Sequence, residues 1–283
     1  MRITPLVPNA LSNLHRESIK GRVAAMHPQS THHYPMEPGS TDVRPLLRAK
    51  ANALPYENTG MTGIGAFPPI HGPGFFPAAW GTLDPAVPLT SRPVMVLGQD
   101  QDHISGLSRS IQKRSERYSP TWRNMEALFD QAGIPLEACF FTNFIWGIRV
   151  DSKRNTGPSP ALAHADFMRG CAALFLEQLQ AQRPKMIITL GMIPFQLLSL
   201  VSTDMRFMTV GIHDFAQLDA RESTTYDVVF DTPDRFSSTV VPICHPSYPQ
   251  NGTKRQFMSA TGVTNEAALL REVHQRCVLS PSI

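Results

Sequence analysis

The sequence predicts a three-layer α/β/α fold around a central, four-stranded, mainly parallel sheet. Four short apolar runs, Val94–Leu97, Ala138–Asn143, Met186–Leu190 and Ser238–Cys244, read as buried core strands. Segments with helical spacing of apolar residues alternate with them, as the crossover helices of a sheet covered on both faces would. No repeat period of the solenoid kind competes with that reading.

Taken in order, residues 1–88 form a proline-rich N-terminal extension, expected to pack on the core. A short helix over Leu11–Met26 is expected there, because Leu11, Leu14, Ile19 and Val23 share a face. Beyond it, prolines remove amide donors and interrupt regular elements. The aromatics Phe67, Phe75, Phe76 and Trp80 argue against full disorder. Residues 89–283 carry the α/β rhythm. After the first strand comes a helix over Pro120–Gln131, with Trp122, Met125, Leu128 and Phe129 on one side, stopped by Gly133-Ile134-Pro135. A long helix over Ala161–Gln182 links the second strand to the third. Gly191 turns into a helix starting near Pro194, which suits a first helical turn. Tyr226–Phe230 reads as an outer strand or hairpin arm, and Thr264–Cys277 as a closing amphipathic helix.

Composition sets bounds on function. The chain has 283 residues, 42% of them hydrophobic, enough for a sizeable core. A net charge of +3 permits a polyanionic partner without requiring one. The cysteines Cys139, Cys171, Cys244 and Cys277 are far apart, so closely spaced metal ligands are missing and no metal or other cofactor is expected. The N-terminus lacks a charged segment followed by an apolar core, and no apolar run is long enough to span a membrane. A cytoplasmic, monomeric protein with reduced thiols is therefore expected.

Chemistry-bearing residues gather at strand ends, the edge where open α/β sheets bind ligands. Gly98-Gln99-Asp100 follows the first strand. Asp100 there can orient a water or stabilise a developing cation, or simply cap the next helix. His245-Pro246-Ser247 follows the last core strand. His245 can donate a hydrogen bond to an oxygen that gains negative charge, or be a turn residue fixed by its proline. Asn143 ends the second strand, and its amide can match a pyrimidine edge or serve as an ordinary turn residue. Asp100 and His245 at one edge favour a functional pair. The run from Arg109 to Arg123 is basic with interleaved aromatics, and Lys153-Arg154 and Lys254-Arg255 follow two motif strands. These clusters suit phosphate contacts as well as an ordinary solvated face.

In this order the motifs resemble the uracil-DNA glycosylase superfamily. Gly98, Gln99, Asp100 and His103 match the Gly-Gln-Asp-Pro-Tyr-His motif of its best-known branch, and His245, Pro246 and Ser247 match its His-Pro-Ser motif. Asn143 stands at the strand end that carries the base-reading Asn, and Thr189-Leu190-Gly191 looks like the Leu-Gly strand end of another branch. The resemblance covers roughly residues 92–277. It implies a uracil-DNA glycosylase-like fold and a monofunctional DNA glycosylase that flips a pyrimidine from DNA. Hydrolysis of the N-glycosidic bond would leave an abasic site, with no lyase step because no Lys stands in the motifs. In that reading Asp100 and His245 are catalytic. Gln99, Asn143, Gln101 and Asp102 bind the base. Arg109, Ser247, Tyr248, Lys153, Arg154, Lys254 and Arg255 contact DNA, Tyr248 as a wedge in the vacated stack.

The departures are informative. Gln101 and Asp102 replace the Pro-Tyr whose Tyr excludes substituents at pyrimidine C5. No aromatic follows Gly106-Leu107, so the stacking face falls to Arg109, Phe144 or Trp146. The expected target is accordingly a C5-modified pyrimidine, such as occurs in phage DNA attacked in antiviral defence. The alternatives are a uracil-excising repair enzyme, a catalytically silent DNA-binding relative, and a hydrolase of free nucleosides.

Overall fold

The computed structural model describes residues 43–83, 91–150, 157–257 and 263–280. The helix expected over Leu11–Met26 and the pair Lys153-Arg154 lie outside the described residues.

The elements are, in chain order, α1 (Arg44–Asn52), β1 (Met61–Thr62), β2 (Val94–Gly98), α2 (Ile104–Lys113), α3 (Pro120–Ala132), β3 (Cys139–Asn143) and β4 (Ile148–Arg149). They continue with α4 (Ala165–Gln182), β5 (Met186–Leu190), α5 (Met192–Leu197), α6 (Thr203–Thr209), α7 (Phe215–Asp219), β6 (Thr225–Val229), β7 (Ser237–Ile243), α8 (Pro249–Gly252) and α9 (Glu266–His274). The main sheet has five strands in the order β3-β2-β5-β7-β6. The four expected core strands pair in parallel, and β6, the outer strand of the sequence reading, adds an antiparallel edge on β7. The long helix starts at Ala165 rather than Ala161, because a 3-10 turn, Pro160–Ala163, precedes it.

Every residue of β2, β3 and β5 is buried, which requires cover on both sheet faces. Alternation along the strands divides the core in two. Met95 and Leu97 join Phe140, Ile187 and Val240 under α4, against Phe167, Cys171 and Phe175. Val94 and Val96 join Phe141, Ile188 and Val241 on the opposite face, against Trp122, Met125 and Phe129 of α3 and Leu269, Leu270 and Val273 of α9. Each such side chain, fully buried, stabilises the fold by roughly 1.5–3 kcal/mol. The ends of α3 are written locally: Ser119 Oγ accepts from Trp122 N–H at 3.3 Å, Pro120 opens the first turn, and Gly133 closes the helix in the left-handed region.

Residues 43–83 share this core. Leu47 and Ala51 of α1 and Phe76 belong to the α4-side cluster. Beyond the edge of β3, Phe76 N–H donates to Phe141 O and Phe141 N–H to Gly81 O, both at 2.9 Å. β1 pairs with β4 in a separate antiparallel ribbon. Chain order sends the path from β2 to β3 on one side, then back across β2 to β5. The crossover leaves a crevice beyond the carboxyl ends of β2 and β5, the position where doubly wound sheets take ligands.

Candidate active site

A cavity of about 610 Å³ fills that crevice. Its walls come from the segments after β2 (Gly98–Asp102), β3 (Asn143), β5 (Gly191–Pro194) and β7 (His245–Tyr248), together with Phe75 and parts of α2 and α3. Asp100, His245, Asn143, Gln99, Gln101, Asp102, Arg109, Ser247 and Tyr248 all line it.

The two loops after β2 and β3 stay laced past the sheet. Phe144 N–H donates to Gly98 O, Ile145 N–H to Gln99 O and Arg149 N–H to Asp102 O, at 2.9–3.1 Å. This lacing sets Arg149 of β4 beside Asp100, with Nε 2.7 Å from Oδ2 and both side chains nearly buried. The Gln99 side chain reaches the same Oδ2 at 3.3 Å. Arg149 also donates to Gly157 O at 2.9 Å, as Gln99 does at 3.3 Å. Asp100 is thus a carboxylate clamped on one oxygen, at the cavity wall.

His245 is held by its own loop. Its Nδ1 accepts from Ser247 N–H at 3.2 Å, which leaves the ring proton on Nε2. The surrounding protein disfavours the imidazolium and lowers the pKa, while the Asp100 charge pulls the other way. A neutral imidazole with an Nε2–H donor is the form expected near neutrality. Two contacts from α3 fix the loop: Asn124 Nδ2 donates to Pro246 O and Thr121 Oγ1 meets Ser247 Oγ, both at 2.7 Å. Tyr248 is 46% exposed at the mouth.

On the opposite wall a chain of side chains runs inward from Asn143. Its Nδ2 donates to Gln101 Oε1 at 3.0 Å, and Gln101 Nε2 donates to Glu116 Oε1 at 2.5 Å. The other Glu116 oxygen accepts from Phe75 N–H at 2.9 Å and Trp122 Nε1–H at 3.4 Å. Burial pushes the Glu116 pKa up to about 7, against these three donors. Asn143 Oδ1 lies against Gly98, where a Cβ would come within 2.2 Å of it, so only glycine fits there. Asp102, in the left-handed region at φ 57°, leans on the backbone of Gly106.

Several expectations need correction. Arg255 is no DNA contact: its guanidinium is 2% exposed and doubly hydrogen-bonded to Asp219 at 2.6 and 3.0 Å. It also bonds Glu266 at 2.9 Å and Pro242 O at 2.7 Å, between the rings of Phe215 and Phe257. Glu266 in turn accepts from Cys244 N–H at 2.7 Å, so this cluster anchors the strand end that delivers His245. Its neighbour Lys254 is exposed. Phe144 and Trp146 are buried in the core and line no part of the cavity; its aromatic lining is Phe75, Tyr118, Trp122 and Tyr248. His103, matched to the motif's histidine, caps α2 by accepting from Ser105 N–H at 3.2 Å.

Sequence reasoning missed Phe75, Arg149 and Glu116. The one signal for Glu116 was its being the only acid between Arg109 and Arg123. Among the described residues no helix is long and apolar enough to cross a membrane. No curated protein matches the chain. The family model of the uracil DNA glycosylase superfamily matches residues 86–265, the span that contains Asp100, Asn143 and His245, and the chain belongs to that superfamily.

Proposed function

We propose that the protein is a monofunctional DNA glycosylase that releases a C5-substituted pyrimidine. Superfamily membership supports a glycosylase-type activity on DNA. The observation that carries the finer reading is the wall where relatives have Pro-Tyr. Gln101 turns inward to Asn143, and Asp102 folds back on Gly106. The cavity extends past them to Arg109, Ser110 and Tyr118, a polar annex for a hydroxylated or sugar-bearing substituent. Its volume suits a ligand larger than a bare pyrimidine ring.

In this reading the flipped base stacks on Phe75, with its 2-carbonyl toward His245 and the Gln99 amide and its 3,4-edge on Asn143. As the glycosidic bond lengthens, negative charge grows on the base and positive charge on the sugar. The His245 Nε2–H donates to the former, and the Asp100 carboxylate faces the latter and orients the water. Arg109, Lys254 and Ser247, with Lys153 and Arg154, contact the backbone, and Tyr248 fills the gap left by the base. Phage DNA rich in modified pyrimidines would be the substrate in an antiviral role.

A catalytically silent DNA-binding relative is the second reading. The Arg149–Asp100 ion pair favours it, because the guanidinium and the Gln99 amide already occupy one oxygen of the carboxylate that would orient the water. Incubation with uracil-containing and C5-modified DNAs, with freed bases identified by mass spectrometry, separates the readings. Release of plain uracil alone would defeat the C5 proposal, and release of nothing from a broad panel would leave the silent relative.

A further inference from the structure

We infer that Glu116 is a positioning residue whose carboxylate sets the direction of the Gln101–Asn143 amide chain, and so makes the base site select a 4-oxo over a 4-amino pyrimidine. The inference rests on the glycosylase reading for its substrate, but the chain of hydrogen bonds stands without it.

The argument is one of donors and acceptors. An ionised carboxylate only accepts. Glu116 Oε2 faces Phe75 N–H and Trp122 Nε1–H, and Oε1 faces Gln101. Gln101 must therefore turn its NH₂ to Glu116 and its oxygen to Asn143. Asn143 must then turn its NH₂ to Gln101 at 3.0 Å, leaving Oδ1 on the Gly98 side. The second Nδ2 hydrogen and Oδ1 remain for the base. With the 2-carbonyl toward Gln99 and His245, ring atom N3 falls on the Gly98 side and the 4-substituent on the Gln101 side. Oδ1 then accepts from N3–H, and Nδ2 donates to O4. A 4-amino pyrimidine has a bare N3 and an NH₂ at that edge, so both contacts clash.

Protonation reverses the chain through half-turns of the Gln101 and Asn143 amide groups, which exchange the places of their oxygen and nitrogen and leave the rest of each side chain where it is. A proton on Oε1 donates to the Gln101 oxygen, the Gln101 NH₂ donates to the Asn143 oxygen, and the edge then matches a 4-amino base. Burial brings this proton equilibrium to about pH 7. Asp102, on the loop that carries Gln101, is the charged neighbour acting on Glu116, and it pushes in the same direction. Among the described residues, the segment before β2 and helix α3 offer it the neutral donors of Phe75 and Trp122 and no charged group.

Glu116→Gln is the decisive variant. Phe75 and Trp122 still demand an oxygen, so the new amide must turn its NH₂ to Gln101, which locks the reversed chain. The measurement is the rate of release of 5-hydroxymethyluracil against 5-hydroxymethylcytosine from otherwise identical DNA. The wild type at pH 8.5 should favour the uracil. E116Q should shift the ratio toward the cytosine by about 10- to 100-fold, the effect of one or two mispaired buried groups. The wild-type ratio should fall in the same direction between pH 8.5 and 5.5, with a midpoint near 7. An unchanged ratio in a folded E116Q overturns the inference, as does a wild-type ratio flat across that range or one that favours cytosine at pH 8.5. If E116Q fails to fold, the wild-type series decides. If the wild type releases no base from any DNA, the glycosylase reading fails instead, and side-chain amide NMR decides the hydrogen-bond chain. The Gln101 and Asn143 amide resonances should then titrate together near pH 7, and fixed resonances overturn it.

Discussion

Behind His245, the Arg255 guanidinium is enclosed by the carboxylates of Asp219 and Glu266 and by two aromatic rings. Behind Asn143, the Glu116 carboxylate is enclosed by three neutral donors and, among the described residues, pairs with no cation. Both clusters are buried, and both hold a strand end at the cavity. In the first, opposite charges fix one another, and the network positions Cys244 and His245. In the second, desolvation opposes the charge with only hydrogen bonds against it, so the proton comes and goes near neutrality. A buried ion pair gives position, whereas a lone buried carboxyl gives a position whose polarity can change.

The largest expected effect falls on the carboxylate between the two networks. Asp100→Asn should cut base release by about 10²–10⁴-fold, the range for a positioned acid–base group, with DNA affinity nearly intact in a binding titration. Arg255→Met tests the structural cluster. It strands two buried carboxylates and should cost about 3–5 kcal/mol in urea unfolding. The folded fraction should keep the wild-type choice between 4-oxo and 4-amino bases. If R255M altered that choice as E116Q is expected to, the two networks would not differ in kind.

The third effect is a pH slope. The Glu116 carboxyl moves from 4.5 in the unfolded chain to about 7 in the folded one. Between those values the folded state holds the proton more tightly, so stability falls as pH rises from about 4.5 to about 7 and then levels off. The total is about 3 kcal/mol at roughly 1.4 kcal/mol per pH unit. Denaturant unfolding at several pH values should show that slope in the wild type and its loss in E116Q. An equal slope in both would assign it elsewhere. The smallest effect is at the rim, where Tyr248→Ala should weaken DNA binding by about 1–3 kcal/mol, the range for an aromatic stacked on a base.

The sheet was legible because its strands are buried on both faces and read as unbroken apolar runs. Helix α2 was not, since its sequence, Ile104–Lys113, mixes Ser and Gly with few apolar residues. Its start depends on His103 as a side-chain cap, which no periodicity reveals. That Asp100, Asn143 and His245 would meet at one cavity was legible because each follows or ends an apolar strand run. Arg255 was misread since a Lys-Arg pair looks solvated until Asp219 and Glu266, 36 and 11 residues away, are seen to enclose it. Glu116 was hidden in a basic run. Its burial comes from Phe75, 41 residues upstream, a long-range contact without a local pattern.

That contact bears on how far the cavity reaches along the chain. Phe75 lies outside residues 86–265, yet it forms an aromatic wall of the cavity and its amide meets Glu116, while Phe76 hydrogen-bonds beside β3. A fragment cut at the boundary of the family match would keep the strand-end residues and lose both an aromatic wall of the cavity and a hydrogen-bond donor to Glu116. The family match and the cavity therefore have different edges, and Phe75 belongs to the second alone.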